Sequence, residues 1–145
     1  IANEILGVKE ETDSFINLLK MHIDRITSTT FYAKAQNNNH GISEGIALYL
    51  GAKIIADHTK LKKYKIIHKK GLNLIENRIE KLILDDGTFS QYSIVYHRMV
   101  LDMISFLELS RKKWSLESFT DCFYNRVNKA TIWYESLIDP ISKLP

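Results

Sequence analysis

Two short segments concentrate the residues whose types and spacing could do chemistry. The first runs Asn37-Asn38-Asn39-His40-Gly41-Ile42-Ser43-Glu44. The second runs Asp86-Gly87-Thr88-Phe89-Ser90-Gln91-Tyr92-Ser93-Ile94-Val95-Tyr96-His97-Arg98. Each gathers amides, hydroxyls, imidazole or phenol where a polar loop gives way to a helical apolar pattern. At a helix start, free backbone N–H groups and the positive end of the dipole attract anions. Side-chain amides such as those of Asn38 and Asn39 can donate hydrogen bonds to a carboxylate. A free phenol titrates near pH 10, roughly three units too high for a good base at neutrality. Tyr96, in the first turn of its helix and beside His97 and Arg98, has a dipole and positive charge at hand to favour the phenolate. Taken alone, each segment is more often a capped helix start than a site.

Other chemistries lack their residues. There is no Gly-rich phosphate loop, paired-cysteine zinc pattern, His-Glu-x-x-His or nucleophile elbow. His58 and His68 fall among lysines on expected helix surfaces, with no carboxylate or cysteine to complete a metal site, and are expected to be solvated. No metal and no cofactor is expected. Cys122 is the only cysteine, so it forms no internal bridge and is expected in the core. The 145 residues, 45% hydrophobic and 26% charged, suit one globular domain with a core of its own. A net charge of +3 and a pI near 8.9 fall short of a nucleic-acid binder's concentrated basic footprint. No apolar run approaches the roughly 20 residues of a membrane span. The opening Ile1-Ala2-Asn3-Glu4 has no initiator methionine and no leader pattern, so the chain reads as an internal fragment.

The elements that must hold the two segments follow from periodicity. Phe15, Leu18, Leu19, His22, Ile23 and Ile26 predict a helix over roughly 10–30, capped in the Thr12-Asp13-Ser14 cluster. Ile42, Ile46, Leu50 and Ile54 predict a second that begins just after the asparagines. Leu72, Ile75, Ile79 and Leu82 predict a third over roughly 60–83, opposite a solvated lysine face. Asp85-Asp86-Gly87-Thr88 is a turn. Ser93 caps a fourth helix carrying Tyr96, Val100, Met103, Ile104 and Leu107, which fades at Arg111-Lys112-Lys113. A fifth begins near Ser115 and presents Phe119, Phe123, Val127, Ala130, Tyr134 and Leu137 until Asp139-Pro140. Five helices and short loops make an all-α array of helical hairpins.

The order and spacing of these segments resemble a known family. Asn38 to Tyr49 looks like the Asn-Asn-His-x-x-x-Glu helix start of the heparinase II/III-like polysaccharide lyases. Asp86 to Asp102, ending Tyr96-His97-Arg98-Met99-Val100-Leu101-Asp102, is similar to that family's second motif. Phe123-Tyr124-Asn125-Arg126 through Trp133-Tyr134 and Asp139-Pro140 resembles the following helix, particularly in members encoded with bacterial surface-polysaccharide genes. The resemblance implies part of an incomplete (α/α) toroid, followed in relatives by a β-sandwich domain that is missing here. It implies β-elimination on an acidic, uronate-containing polysaccharide or oligosaccharide, in a periplasmic or secreted protein. On that resemblance Asn39 neutralises the uronate carboxylate with His40 assisting, and Tyr96 is the base. Asn38, Glu44, Gln91, His97 and Arg98 then bind substrate. Relatives often have Glu where Gln91 stands, and many contribute a further histidine from outside this segment, so the fragment alone is expected to be inactive.

Two other readings use the same residues. One is a binding or assembly protein that holds an acidic surface glycan without cutting it, since a fold does not guarantee its usual chemistry. The other is a helical interaction domain, for nucleic acid or protein, using the lysine face of residues 60 to 70.

Overall fold

The computed structural model describes residues 12–139 and residue 141, and these form an all-α structure. The five helices among them are α1 (Thr12–Ala35), α2 (Asn39–Thr59), α3 (Lys62–Leu82), α4 (Ile94–Lys113) and α5 (Asp121–Glu135). The start of the expected first helix, before Thr12, lies outside the described residues. So do Pro140 and the residues after Ile141.

Helix α2 is central, because its apolar and small residues recur on nearly every face rather than in one stripe. On one side it packs antiparallel to α3. A Cβ placed at Gly41 would meet Arg78, one at Gly45 would meet Ile75, and one at Gly71 would meet Tyr49, the descending register of a helical hairpin. On another side it packs antiparallel to α1, where Gly51 faces Ile23 and the His58 Nε2 lies 3.1 Å from Asp13 Oδ1. A third hairpin joins α4 and α5, tied by Tyr124 Oη donating to Glu108 Oε1 at 3.2 Å. The core runs through Ile42, Ile46, Ile75, Ile79, Val100, Ile104, Leu107 and Phe123, with a second cluster around Ile23, Ala52, Ile55 and Tyr64.

Several expectations need correction. Leu18 and His22 are exposed, because the buried stripe of α1 follows Ile16, Ile23 and Ala33. His68 is not solvated: it is half-buried, its Nδ1 2.7 Å from the Tyr49 carbonyl oxygen and its ring stacked on that of Tyr49 at 4.3 Å. Cys122, in contrast, is exposed. Helix α5 starts six residues later than Ser115, since Ser115 adopts φ 51° and Thr120 is the residue that caps the helix, accepting from the Phe123 N–H at 3.4 Å. Phe119 therefore reaches the core from a loop.

The turn at Asp85–Thr88 is as expected and closes an antiparallel bridge between Ile83 and Phe89. Gly87 has φ 89°, and a Cβ there would sit 2.7 Å from the Lys129 carbonyl carbon of α5, so both conformation and space demand glycine. Asp85 and Arg126 form a 2.7 Å ion pair across the same contact. The hydroxyl and amide of Thr88 hydrogen-bond the Asp86 carboxylate and hold its pKa below the ordinary value.

The crossing of α2 and α3 yields a test. At Gly71 an added methyl would lie 2.8 Å from the Tyr49 Cα, and backbone on both sides cannot retreat. Alanine's better helix propensity, worth about 1 kcal/mol, opposes an overpacking cost of about 1–3 kcal/mol, so the cost should win. Gly71→Ala is expected to lower the urea midpoint at unchanged m-value. An equal or higher midpoint would contradict the close crossing.

Candidate functional site

The start of α2 explains how the two segments meet. Asn38 is the N-cap, with extended backbone, and its Oδ1 accepts from the His40 N–H at 3.0 Å. The next unsatisfied donor, the Asn39 N–H, is taken by Gln91 Oε1 at 2.9 Å, across 52 positions of sequence. Ser90 Oγ donates to the Asn37 carbonyl at 3.4 Å, adding a second tie between the same loops. The polar segment before α2 and the polar segment before α4 are thus immediate neighbours.

Asn39 and His40 are the first two residues of α2, not residues preceding it. Their backbone N–H groups already have acceptors, so the anion attraction expected from free amides here falls to the dipole and the side chains. Asn39 is buried and His40 exposed, with His40 Nδ1 3.1 Å from Gln36 Oε1. Glu44 lies one turn further on. Its Oε2 is buried with no hydrogen-bond partner among the described residues. Desolvation raises its pKa above the ordinary value, and the His40 charge partly opposes that.

On the other helix, Ser93 caps α4 by accepting from the Tyr96 N–H at 3.4 Å. Tyr96 is 43% exposed and does not join the buried stripe of α4. His97 takes that place, at 2% exposure. Its Nε2 lies 2.9 Å from the Ala130 carbonyl oxygen, and its ring stacks on Trp133 at 4.7 Å and on Tyr134 at 5.8 Å. His97 therefore ties α4 to α5 from within the core. Burial lowers its pKa, outweighing the hydrogen bond to Ala130, so it does not supply the positive charge expected beside Tyr96. Arg98 points to solvent, its Nε 3.7 Å from Asp102 Oδ2.

One turn beyond His40 and Tyr96, Ser43 and Met99 begin a groove of about 320 Å³ between α2 and α4, continued by Ile46, Asp102, Met103 and Phe106. The structure thus brings Asn38, Asn39, His40 and Gln91 together beside the α4 start that carries Tyr96. It leaves His97 in the core and Arg98 paired in water. Among the described residues no group of three His, Cys, Asp or Glu side chains is placed to hold a metal ion.

Arg78 draws no attention in the sequence, and Asn37 draws it only as part of the polar run before α2. Asn37 adopts φ 48°, and its Oδ1 accepts from Arg78 Nη1 at 3.1 Å, which also donates to the Lys34 carbonyl at 3.1 Å. The available signal was an arginine inside the apolar stripe Ile75, Ile79 and Leu82.

No protein-family model matches this chain, and neither a curated protein nor a solved structure matches it.

The two perturbed groups give opposite pH signatures. His97 titrates lower in the folded protein than in the unfolded chain, so the unfolded state takes up the proton first. Its contribution to stability is present above the ordinary imidazole pKa, about 6.5, and is lost as pH falls from there through the folded value. Glu44 titrates higher when folded, so its contribution is fully present below the ordinary carboxyl value and is lost as pH rises through the folded one. Against wild type, His97→Gln should flatten the loss of urea stability below about pH 6.5. Glu44→Gln should raise stability at pH 7 more than at pH 4. Parallel pH curves for wild type and either variant would refute the corresponding assignment.

Proposed function

We propose that this chain carries part of a β-elimination site for a uronate-containing acidic polysaccharide, with Asn39, His40 and Tyr96 at its centre. The observation that carries the reading is the hydrogen bond from the Asn39 amide to Gln91, because it joins the two segments whose residues the chemistry requires together. The hydrogen on the carbon beside an ionised carboxylate is only weakly acidic, so the carboxylate must be neutralised as enolate-like charge develops. The Asn39 side-chain amide and the exposed His40 imidazole are the donors for that charge. Tyr96 takes the hydrogen as a proton. The C–H electron pair becomes a carbon–carbon double bond, and the bond to the glycosidic oxygen breaks. That oxygen leaves with its electron pair and takes a proton, which Tyr96 can return.

Gln91 is committed to the α2 start, so its place is to position Asn39 rather than to touch sugar. Burial pushes the Glu44 carboxyl above its ordinary value, so it repels an anionic sugar less than a fully solvated carboxylate would. The same reading places the hairpins within an incomplete (α/α) toroid followed by a β-sandwich. Antiparallel pairing of α2 with α3 and of α4 with α5 is compatible with it. A second reading, that the site holds an acidic glycan without cutting it, is favoured by one observation: Asn39 is only 7% exposed.

The test uses the polypeptide as its gene encodes it, incubated with alginate, heparan and capsular uronans. Ultraviolet absorbance from unsaturated uronate is expected on one of them. Tyr96→Phe should lower that rate by about 10²–10⁴-fold, and Asn39→Ala by about 10²–10³-fold. Binding without new absorbance would select the second reading. Cleavage undiminished in either variant would overturn the catalytic assignment.

A further inference from the structure

Away from the α2 and α4 starts, α1 and α3 enclose a groove of about 670 Å³. That volume lies within the roughly 300–1,000 Å³ of small-ligand sites. Its lining includes the cations Lys34, Lys70, Arg78 and Lys81 and no Asp or Glu. None of these four is paired with a carboxylate among the described residues.

Arg78 gives the groove its character. It is 3% exposed, and its guanidinium donates to neutral oxygens: the Lys34 carbonyl, Asn37 Oδ1 and Asn77 Oδ1. Those four bonds use four of its five N–H donors and leave its charge uncompensated, and buried charges are normally paired. Three exposed lysines around it add to the same field, so an anion entering the groove supplies the missing countercharge.

The rest of the lining narrows the anion. Asn73 and Asn77 offer amides, Thr27 and Thr30 offer hydroxyl oxygens, and Phe31 stands 75% exposed as a flat apolar face. The threonine hydroxyls donate back to the Ile23 and Ile26 carbonyls, each at 2.7 Å, which leaves their lone pairs to accept from a ligand hydroxyl. A ligand rich in both hydroxyls and negative charge matches this set. A nucleic acid matches it less well, because the lining has one exposed aromatic ring rather than a series for base stacking and no exposed arginine.

We infer that the α1/α3 groove is a binding site for an acidic oligosaccharide, held by the Arg78 charge at its floor and by Lys34, Lys70 and Lys81 around it. Binding here is separate from cleavage and needs no intact β-elimination site. Arg78 also clamps Asn37, directly before the candidate site, so the groove adjoins the α2 start through one side chain.

The test titrates the full chain, labelled with ¹⁵N, with an oligogalacturonate, a heparin oligosaccharide and a short single-stranded oligodeoxynucleotide. One of the saccharides should shift the amide signals of Lys70, Asn73 and Asn77. Lys70→Gln combined with Lys81→Gln should weaken that binding about tenfold. Lys20→Gln combined with Lys112→Gln, an equal charge change outside the groove, should weaken it less than about twofold. Carboxylate or sulfate preference follows from which saccharide binds tighter. Tighter binding of the oligodeoxynucleotide, equal losses in both double variants, or binding of neither saccharide would overturn the inference. None of these outcomes depends on whether the polymer is cleaved.

Discussion

A helix that begins inside a protein must find acceptors for its first N–H groups, and at α2 this requirement shapes everything around it. An exposed helix start can use water. Asn39 is buried, so its amide needs a partner from the protein itself. Asn38 serves the His40 amide locally, but the Asn39 amide is served by Gln91, from the far side of α3 and the Asp85–Thr88 turn. That one bond couples the chain's two polar junctions. It rests in turn on a rigid frame: Gly71 lets α2 and α3 approach closely, and Gly87 lets the turn press against α5.

Charge is distributed unevenly over this frame. Glu44 and His97 are each desolvated, but one is an acid whose protonated form is favoured and the other a base whose neutral form is favoured. Both therefore lean towards neutrality. Arg78 has no such escape, since a guanidinium stays charged in any protein environment. Its positive charge persists beneath the α1/α3 groove while its hydrogen bonds brace the Asn37 loop. One buried residue thus contributes both to the geometry of the α2 start and to the field beside it.

The helices were legible because their stripes are regular. Ile75, Ile79 and Leu82 on α3, and Val100, Ile104 and Leu107 on α4, repeat at the spacing burial demands, and Ser93 before α4 has the chemistry of a cap. What could not be read was the use of polar and aromatic residues whose roles depend on distant partners. Tyr96 and His97 are adjacent in sequence, yet about 100° of helical rotation sends one outward and one against Trp133. His68 looks solvated among lysines until the Tyr49 carbonyl and ring are placed beside it. The late start of α5 hides because Phe119 keeps helical spacing with Phe123 although it sits in a loop. At the candidate site, the asparagines were visible as a helix start, but the partner that tethers them lies 52 positions away and leaves no local trace.

The tether from Gln91 to Asn39 joins the two helix starts, and native-state amide hydrogen exchange reads it most directly. The Asn39 amide should exchange slowly in the wild-type protein, though a first-turn helix amide open to water would exchange fast. In Gln91→Ala its exchange should accelerate sharply while amides in the middle of α2, such as that of Leu50, keep their protection. Fast exchange at Asn39 in the wild type, or exchange unchanged by Gln91→Ala, would contradict the coupling of the two helix starts.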